Sequence, residues 1–152
     1  GTPSLAGYSV AFSPNGEYLA VGHSSGLTVL RTSNWSVVTG TPSLPNAGSS
    51  AAFSPNGEYL AVAHSDGNRL TVIRTSNWSV VSGTPSLPGD GCGVAFSPNG
   101  EYLAVTHYEG NNLTVIEAQG TSEFYLPDLS DYWLNPYNSA FSQLKWMIKT
   151  HD

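Results

Sequence analysis

Histidine recurs at matched positions along the sequence, and imidazole side chains can bind metals or transfer protons. His23, His64 and His107 each end the same apolar stretch, so a ring of histidines is one interpretation. Zinc needs ligand nitrogens about 2.0 to 2.1 Å from the ion. Equivalent positions on packed sheets lie about 10 Å apart, so we expect hydrogen-bonded structural histidines and no metal site. A pH-sensitive contact is the alternative.

Glutamate forms a second recurrent set, in which Glu17, Glu58 and Glu101 each follow a glycine. Glycosidases place two carboxyl groups within about 10 Å of each other and in unlike environments. Residues of identical repeats share one environment and lie one repeat apart. We therefore expect solvated turn residues here and no catalytic pair.

Trp35 and Trp78 occur in a repeated "SNWS" that is typical of a turn. An aromatic side chain on a turn can anchor a sugar or a partner protein, and it can equally cover a neighbouring repeat. Positions that differ between the repeats are further candidates, such as Tyr108 after the third histidine. The candidate binding residues of the repeats are Trp35, Trp78, His23, His64, His107 and Tyr108.

The sequence carries no motif typical of an enzyme. It has no glycine-rich phosphate loop, no GxSxG and no Cys-His pair with an orienting carboxylate. Cys92 is the one cysteine, and we expect it to be a small packed residue. An enzyme would need acids from elsewhere, such as Asp128 or Asp131. We expect a non-catalytic protein that uses no cofactor.

Charge and composition restrict the partners. The chain of 152 residues has a net charge of -6, and its five Lys or Arg residues are scattered, so a nucleic-acid partner is not expected. No run of 18 apolar residues and no N-terminal signal pattern occurs, so we expect no membrane span. Because the sequence does not begin with Met, we expect a processed product or a piece of a longer chain.

The candidate residues belong to a repeat that occurs three times in residues 1–118, as copies 1–39, 40–82 and 83–118. Copies two and three begin 43 residues apart, at Gly40 and Gly83. Each copy contains "FSPNGEYLAV", in which "SPNGE" is typical of a tight turn between two strands. The sequence of the second copy predicts four antiparallel strands: "SAAF", "YLAVAH", "LTVIRT" and "SVVSGTPSL".

Both sides of the predicted central strand are apolar. In "YLAVAH", Leu60 and Val62 alternate with Ala61 and Ala63, as expected for a strand packed between two sheets. Four short antiparallel strands in about 40 to 45 residues are typical of one blade of a β-propeller. The fold class that we predict is therefore all-β, with three four-stranded blades.

The segment "AFSPNGEYLAVAHSDGNRLTVI" resembles the blade repeat of WD40-like and YVTN-type β-propellers, and the resemblance covers residues 1 to about 118. It implies the propeller fold. The Trp-Asp pair of the WD40 repeat is replaced by Leu30-Arg31 and Ile73-Arg74, so the hydrogen-bond network of that family is not expected. Repeats with "GTPSLPG" are also similar to repeats of bacteriophage and prophage proteins.

Three blades do not close a ring, since propellers typically have four to eight. An unclosed blade exposes a long apolar face and an unpaired edge to water. We therefore expect self-association, packing on neighbouring protein subunits, or a longer chain that completes the ring.

Residues 119–152 form a tail of different composition with no trace of the repeat. "NSAFSQLKWMIK" spaces apolar residues at helical intervals, which predicts a helix over residues 139–149. The tail is rich in aromatics, including the candidate binding residues Trp133 and Trp146. It either caps the last blade or docks on another subunit.

The sequence thus favours a structural or binding module of the propeller type, located outside the cell or in a virion such as a phage tail. The alternative function is a lectin-like, carbohydrate-binding propeller that uses the turn tryptophans.

Overall fold

The computed structural model describes residues 4–45, 47–67, 69–108, 113–119, 123–124 and 147–151, and each regular element in these ranges is a β-strand. The strands, in chain order, are β1 (Gly7–Phe12), β2 (Tyr18–His23), β3 (Gly26–Arg31), β4 (Gly48–Phe53), β5 (Tyr59–His64), β6 (Leu70–Arg74), β7 (Gly91–Phe96), β8 (Tyr102–His107), β9 (Leu113–Gln119), β10 (Glu123–Phe124) and β11 (Met147–His151).

Each repeat folds into one antiparallel sheet, which we call a blade. Blade 1 is β1-β2-β3, blade 2 is β4-β5-β6, and blade 3 contains β7-β8-β9 with β10 and β11 both paired to β9. The register repeats from blade to blade, since Phe12 pairs with Leu19, Phe53 with Leu60, and Phe96 with Leu103. The all-β prediction and the division into three antiparallel blades are confirmed.

The prediction of four strands in each blade is wrong for blades 1 and 2. The fourth strand is reduced to one isolated bridge in each, Leu30 to Val37 and Ile73 to Val80. The backbone turns tightly before each bridge, with φ of 60° at Trp35 and 56° at Trp78, a conformation uncommon for bulky residues. A turn follows that contains a glycine of positive φ, Gly40 at 89° in blade 1 and Gly83 at 81° in blade 2.

Hydrogen bonds explain why "SPNGE" connects the first two strands in every copy. In blade 2, Ser54 Oγ donates to Asn56 Oδ1 at 2.6 Å and accepts from the Tyr59 amide at 2.9 Å. The Asn56 Oδ1 atom also accepts from the Glu58 amide, at 3.1 Å. Gly57 has φ of 74°, a conformation that favours glycine. The turn is therefore determined by residues within five positions of one another.

The core lies between the blades. One apolar cluster joins blades 1 and 2 and a second joins blades 2 and 3, so blade 2 is covered on both sides. All six residues of β5 are buried as a result. Small residues permit this contact, because a Cβ atom at Gly22 would lie 2.6 Å from the Gly48 carbonyl oxygen.

The helix predicted over residues 139–149 is wrong at its C-terminal end. Residues 147–149 belong to β11, which pairs antiparallel with β9 from Met147–Glu117 to His151–Leu113. The edge of β9 presents backbone donors and acceptors, and strand pairing satisfies them where a helix would not. Residues 139–146 lie outside the described part of the chain.

Phe12 and Phe53 occupy equivalent positions of the repeat but lie in different environments. Replacing each of them therefore tests the packing between blades. We expect Phe53→Ala to lower the free energy of unfolding by about 3 to 5 kcal/mol, because this ring is buried between blades 1 and 2. Phe12→Ala should cost less than about 1 kcal/mol in the monomer, since the ring is exposed. Urea unfolding at low protein concentration measures both. Equal losses would contradict the blade order.

Candidate binding surface

Each blade has two apolar faces, which we name by direction along the chain. The leading face is turned toward the preceding blade, and the trailing face is turned toward the following one. The leading face of blade 2 consists of Ala51, Phe53, Leu60, Val62 and Ile73. It packs on the trailing face of blade 1, which consists of Ala20, Leu27, Val29, Val38 and Leu44.

The leading face of blade 1 has no blade packed against it in the described structure. Its residues occupy the same register positions as those of blade 2. Phe12 is 61% exposed and Val10 is 67% exposed, whereas Phe53 is 9% exposed and Ala51 is 7% exposed. An apolar surface that is buried in one repeat is therefore open to solvent in another.

This face contains a hollow of about 450 Å³. Leu19, Val21 and Leu30 form its floor, and Leu5, Tyr8 and Trp35 stand around it. None of its lining residues is charged. Tyr8 and Ser9 are the lining residues with a side-chain hydroxyl, and that of Ser9 accepts from the Ala51 amide of blade 2. A surface of this composition is suited to an apolar partner with few polar groups.

The two tryptophans predicted to bind lie in different surroundings. Trp78 on blade 2 packs edge-on against Tyr18 of blade 1, with ring centroids 5.1 Å apart and planes at 81°. Trp35 lies at the equivalent place on blade 1 and lines the hollow. Among the described side chains it has no such ring partner. Trp78 thus contributes to packing between blades, while Trp35 faces the open surface.

The three histidines make the same hydrogen bond in each blade, between the second and third strands. The Nε2 atoms of His23, His64 and His107 lie 3.0, 2.8 and 2.8 Å from the hydroxyl oxygens of Thr28, Thr71 and Thr114, respectively. His107 Nδ1 is in addition 3.0 Å from the Gly89 carbonyl oxygen. In the described part of the chain, no group of three or more His, Cys, Asp or Glu side chains could hold a metal ion.

The other candidate residues lie apart from the hollow. Tyr108 is exposed on blade 3, where its amide donates to the Asp90 carbonyl oxygen at 3.0 Å. Cys92 is half-buried, with Sγ 3.2 Å from Thr106 Oγ1. Trp133 and Trp146 lie outside the described residues, as do the tail acids Asp128 and Asp131.

Sequence reasoning did not single out Val10, Phe12 or Leu5 as surface residues. All three lie in stretches that recur in the other copies, and recurrence suggests a packing role. The repeated sequence alone does not separate exposed from buried copies of a residue, because burial depends on which blade lies opposite.

Residues 8–30 match the family model described as "WD domain, G-beta repeat". The solved structures that are similar include the Cps50 (Swd1) β-propeller domain of Myceliophteria thermophila, with a TM-score of 0.66 and 16% identity. The blades have the β-propeller fold, and the first of them resembles a WD40 repeat. Hydrazine synthase from Kuenenia stuttgartiensis is similar as well, with a TM-score of 0.69 and 20% identity. No curated protein matches the sequence significantly.

These structural likenesses cover most of this chain but less than half of each neighbour. The chain is covered over 78% by hydrazine synthase and 85% by the Swd1 domain, and it spans 34% and 42% of their respective lengths. WD40 propellers generally mediate protein interactions and are generally non-catalytic, although one neighbour here is named as an enzyme. Within the described residues, no helix has the length and apolarity required to span a membrane.

The burial of His107 makes a test at acid pH possible. Burial lowers the pKa of its imidazole, and the hydrogen bond to the Gly89 carbonyl raises it by less. The unfolded chain, with the ordinary pKa of about 6.5, therefore takes up this proton first as the pH falls. The stabilisation is present above that value and is lost as the pH falls through the lower folded-state pKa.

We expect the urea concentration at which half of the wild-type protein is unfolded to decrease as the pH is lowered from about 7.5 to about 5. The His107→Gln variant has no imidazole at this position, so its midpoint should fall by less over the same range. Equal pH dependence in the two proteins would show that His107 does not contribute to acid sensitivity.

Proposed function

We propose that this protein is a non-catalytic structural and binding module that completes its propeller by packing another protein surface on the leading face of blade 1. The observation that carries the proposal is the exposure of Phe12 and Val10, whose equivalents Phe53 and Ala51 are buried between blades. The location that we propose, in a virion or on a cell surface, rests only on the resemblance of the "GTPSLPG" repeats that was inferred from the sequence.

The energetics favour a covered face. Burial of one large apolar side chain stabilises a complex by about 1.5 to 3 kcal/mol relative to its exposure to water. The leading face of blade 1 exposes Val10, Phe12, Tyr8 and Leu5 together. Because the hollow is lined by no charged residue, a partner does not have to neutralise a charge on entry. The partner surface that fits is apolar with few polar groups.

Tyrosine labelling tests this proposal with a control inside the same chain. Tyr8 lines the hollow and is 67% exposed, while Tyr108 is 73% exposed on blade 3 and outside the hollow. We expect Tyr8 to react more slowly with a phenol-specific reagent in the assembly isolated from its natural source than in dilute purified protein. Tyr108 should react at similar rates in both, as fragmentation of the labelled peptides in the mass spectrometer can assign to single tyrosines. An unprotected Tyr8 in the natural assembly would contradict the proposal.

Carbohydrate binding is a second candidate function, favoured by the exposure of Trp35 to the hollow. Sugars stack on open aromatic rings, and Trp78 is packed against Tyr18. This function therefore depends on Trp35 alone.

A glycan array tests the second candidate with matched variants. We expect Trp35→Ala to abolish binding, with at least a roughly tenfold loss of affinity, while Trp78→Ala retains it in protein that remains folded. No signal from the wild type, or equal signals from the two variants, would exclude a lectin function at this hollow.

A further inference from the structure

Blade 3 carries the second uncovered face of the described structure. Tyr102 is 37% exposed, whereas Tyr59 at the equivalent position of blade 2 is 6% exposed. Ala104 and Val115 are only partly buried, although their equivalents on blades 1 and 2 are fully buried. The trailing face of blade 3 therefore retains the apolar residue types of the other trailing faces without a blade against it.

The two open faces carry the two halves of a contact that already exists within the chain. At the boundary between blades 1 and 2, Tyr18 of the trailing face meets Trp78 of the leading face. The trailing face of blade 3 presents Tyr102, and the leading face of blade 1 presents Trp35. Each open face thus lacks the aromatic residue that the other one has.

The leucine of the segment that precedes each blade also differs between the covered and the open faces. Leu44 and Leu87, in repeated "TPSL" segments, are buried in the two contacts between blades. Leu5 belongs to the first "TPSL" segment and lines the exposed hollow. A further blade packed on the leading face of blade 1 would bury Leu5 as Leu44 and Leu87 are buried.

Resting on the proposed function of the leading face, we propose that its partner is a second copy of this chain. The trailing face of blade 3 of one copy packs on the leading face of blade 1 of the next, with Tyr102 edge-on against Trp35. Two copies joined twice in this way make a ring of six blades, within the four to eight that closed propellers contain, and three copies would exceed it. The ring has two-fold symmetry with two equivalent head-to-tail contacts.

The contact between copies is weaker than the contacts within the chain, for two local reasons. Ser9 and Ser50 each accept a hydrogen bond from the following blade, from the amides of Ala51 and Val94, but the third copy has Gly93 at this position. Thr106 occupies the position of Gly22 and Ala63, which lie close to a glycine of the next blade. We therefore expect reversible association that depends on protein concentration.

The test uses one charged substitution on each face and a control elsewhere. Val10→Asp introduces a carboxylate on the leading face, and Tyr102→Asp introduces one on the trailing face. Val80→Asp is the control, because Val80 is also exposed but lies on the outer edge of blade 2. Circular dichroism and urea midpoints verify that each variant folds. If Val10→Asp does not fold, Phe12→Ser replaces it.

Light scattering over a wide range of concentration gives the mass of the purified protein. We expect the wild type to shift from the 16.1 kDa monomer to a dimer. Val10→Asp and Tyr102→Asp should each weaken association roughly tenfold or more, because a buried carboxylate without a partner opposes the contact, while Val80→Asp should not.

Mixing the two variants tests the head-to-tail direction. The intact trailing face of Val10→Asp can bind the intact leading face of Tyr102→Asp, so the mixture should form a heterodimer through one contact. We expect it to associate more strongly than either variant alone.

Three results would overturn the inference. A wild type that stays monomeric at every concentration excludes the second copy as the partner. Association that is lost in Val10→Asp but unchanged in Tyr102→Asp shows that another surface covers blade 1. A mixture that associates no better than the separate variants excludes the head-to-tail arrangement. Protection of Tyr8 in the natural assembly would still support the proposed function in these cases, so the two proposals can fail separately.

Discussion

The structure depends on face-to-face packing between blades that are apolar on both sides. A single three-stranded sheet of this composition cannot bury both faces by itself, so each blade requires two neighbours. Blade 2 has them, and its central strand Tyr59–His64 is buried along its whole length. Blades 1 and 3 each have one neighbour in the described structure and keep one open face. The functional question is therefore what covers these two faces.

Contacts inside a blade and contacts between blades follow different rules. Inside each blade, the "SPNGE" turn and the histidine-threonine hydrogen bond recur with nearly the same geometry. Between blades, the position after the second-strand Val differs, with Gly22 in the first copy, Ala63 in the second and Thr106 in the third. Gly22 and Ala63 meet the next blade closely. Thr106 belongs to the open face, where no described blade restricts its size.

Local patterns predicted the strands and turns well because these features depend on residues close in sequence. The "SPNGE" turn was predicted from Pro and Gly preferences, and the structure adds the hydrogen bonds of Ser54 and Asn56. Two predictions failed, one at the local turn that contains Trp35 and one where the edge of a distant strand decides. The outer strand after Trp35 is reduced to one bridge, and residues 147–149 pair with β9. Helical spacing could not reveal the unpaired strand edge that attracts this segment.

By itself, the sequence determined the repeat, the order of strands within each blade and the residue types that face a neighbour. These follow from alternation along a strand and from turn preferences, which act over a few residues. Only the tertiary structure decided that identical residues at equivalent positions of the repeat differ in role. Phe12 and Phe53 begin the same repeated segment, yet Phe12 is exposed and Phe53 is buried, because burial depends on which blade lies opposite. For the same reason Trp78 packs against Tyr18, while Trp35 faces an open hollow.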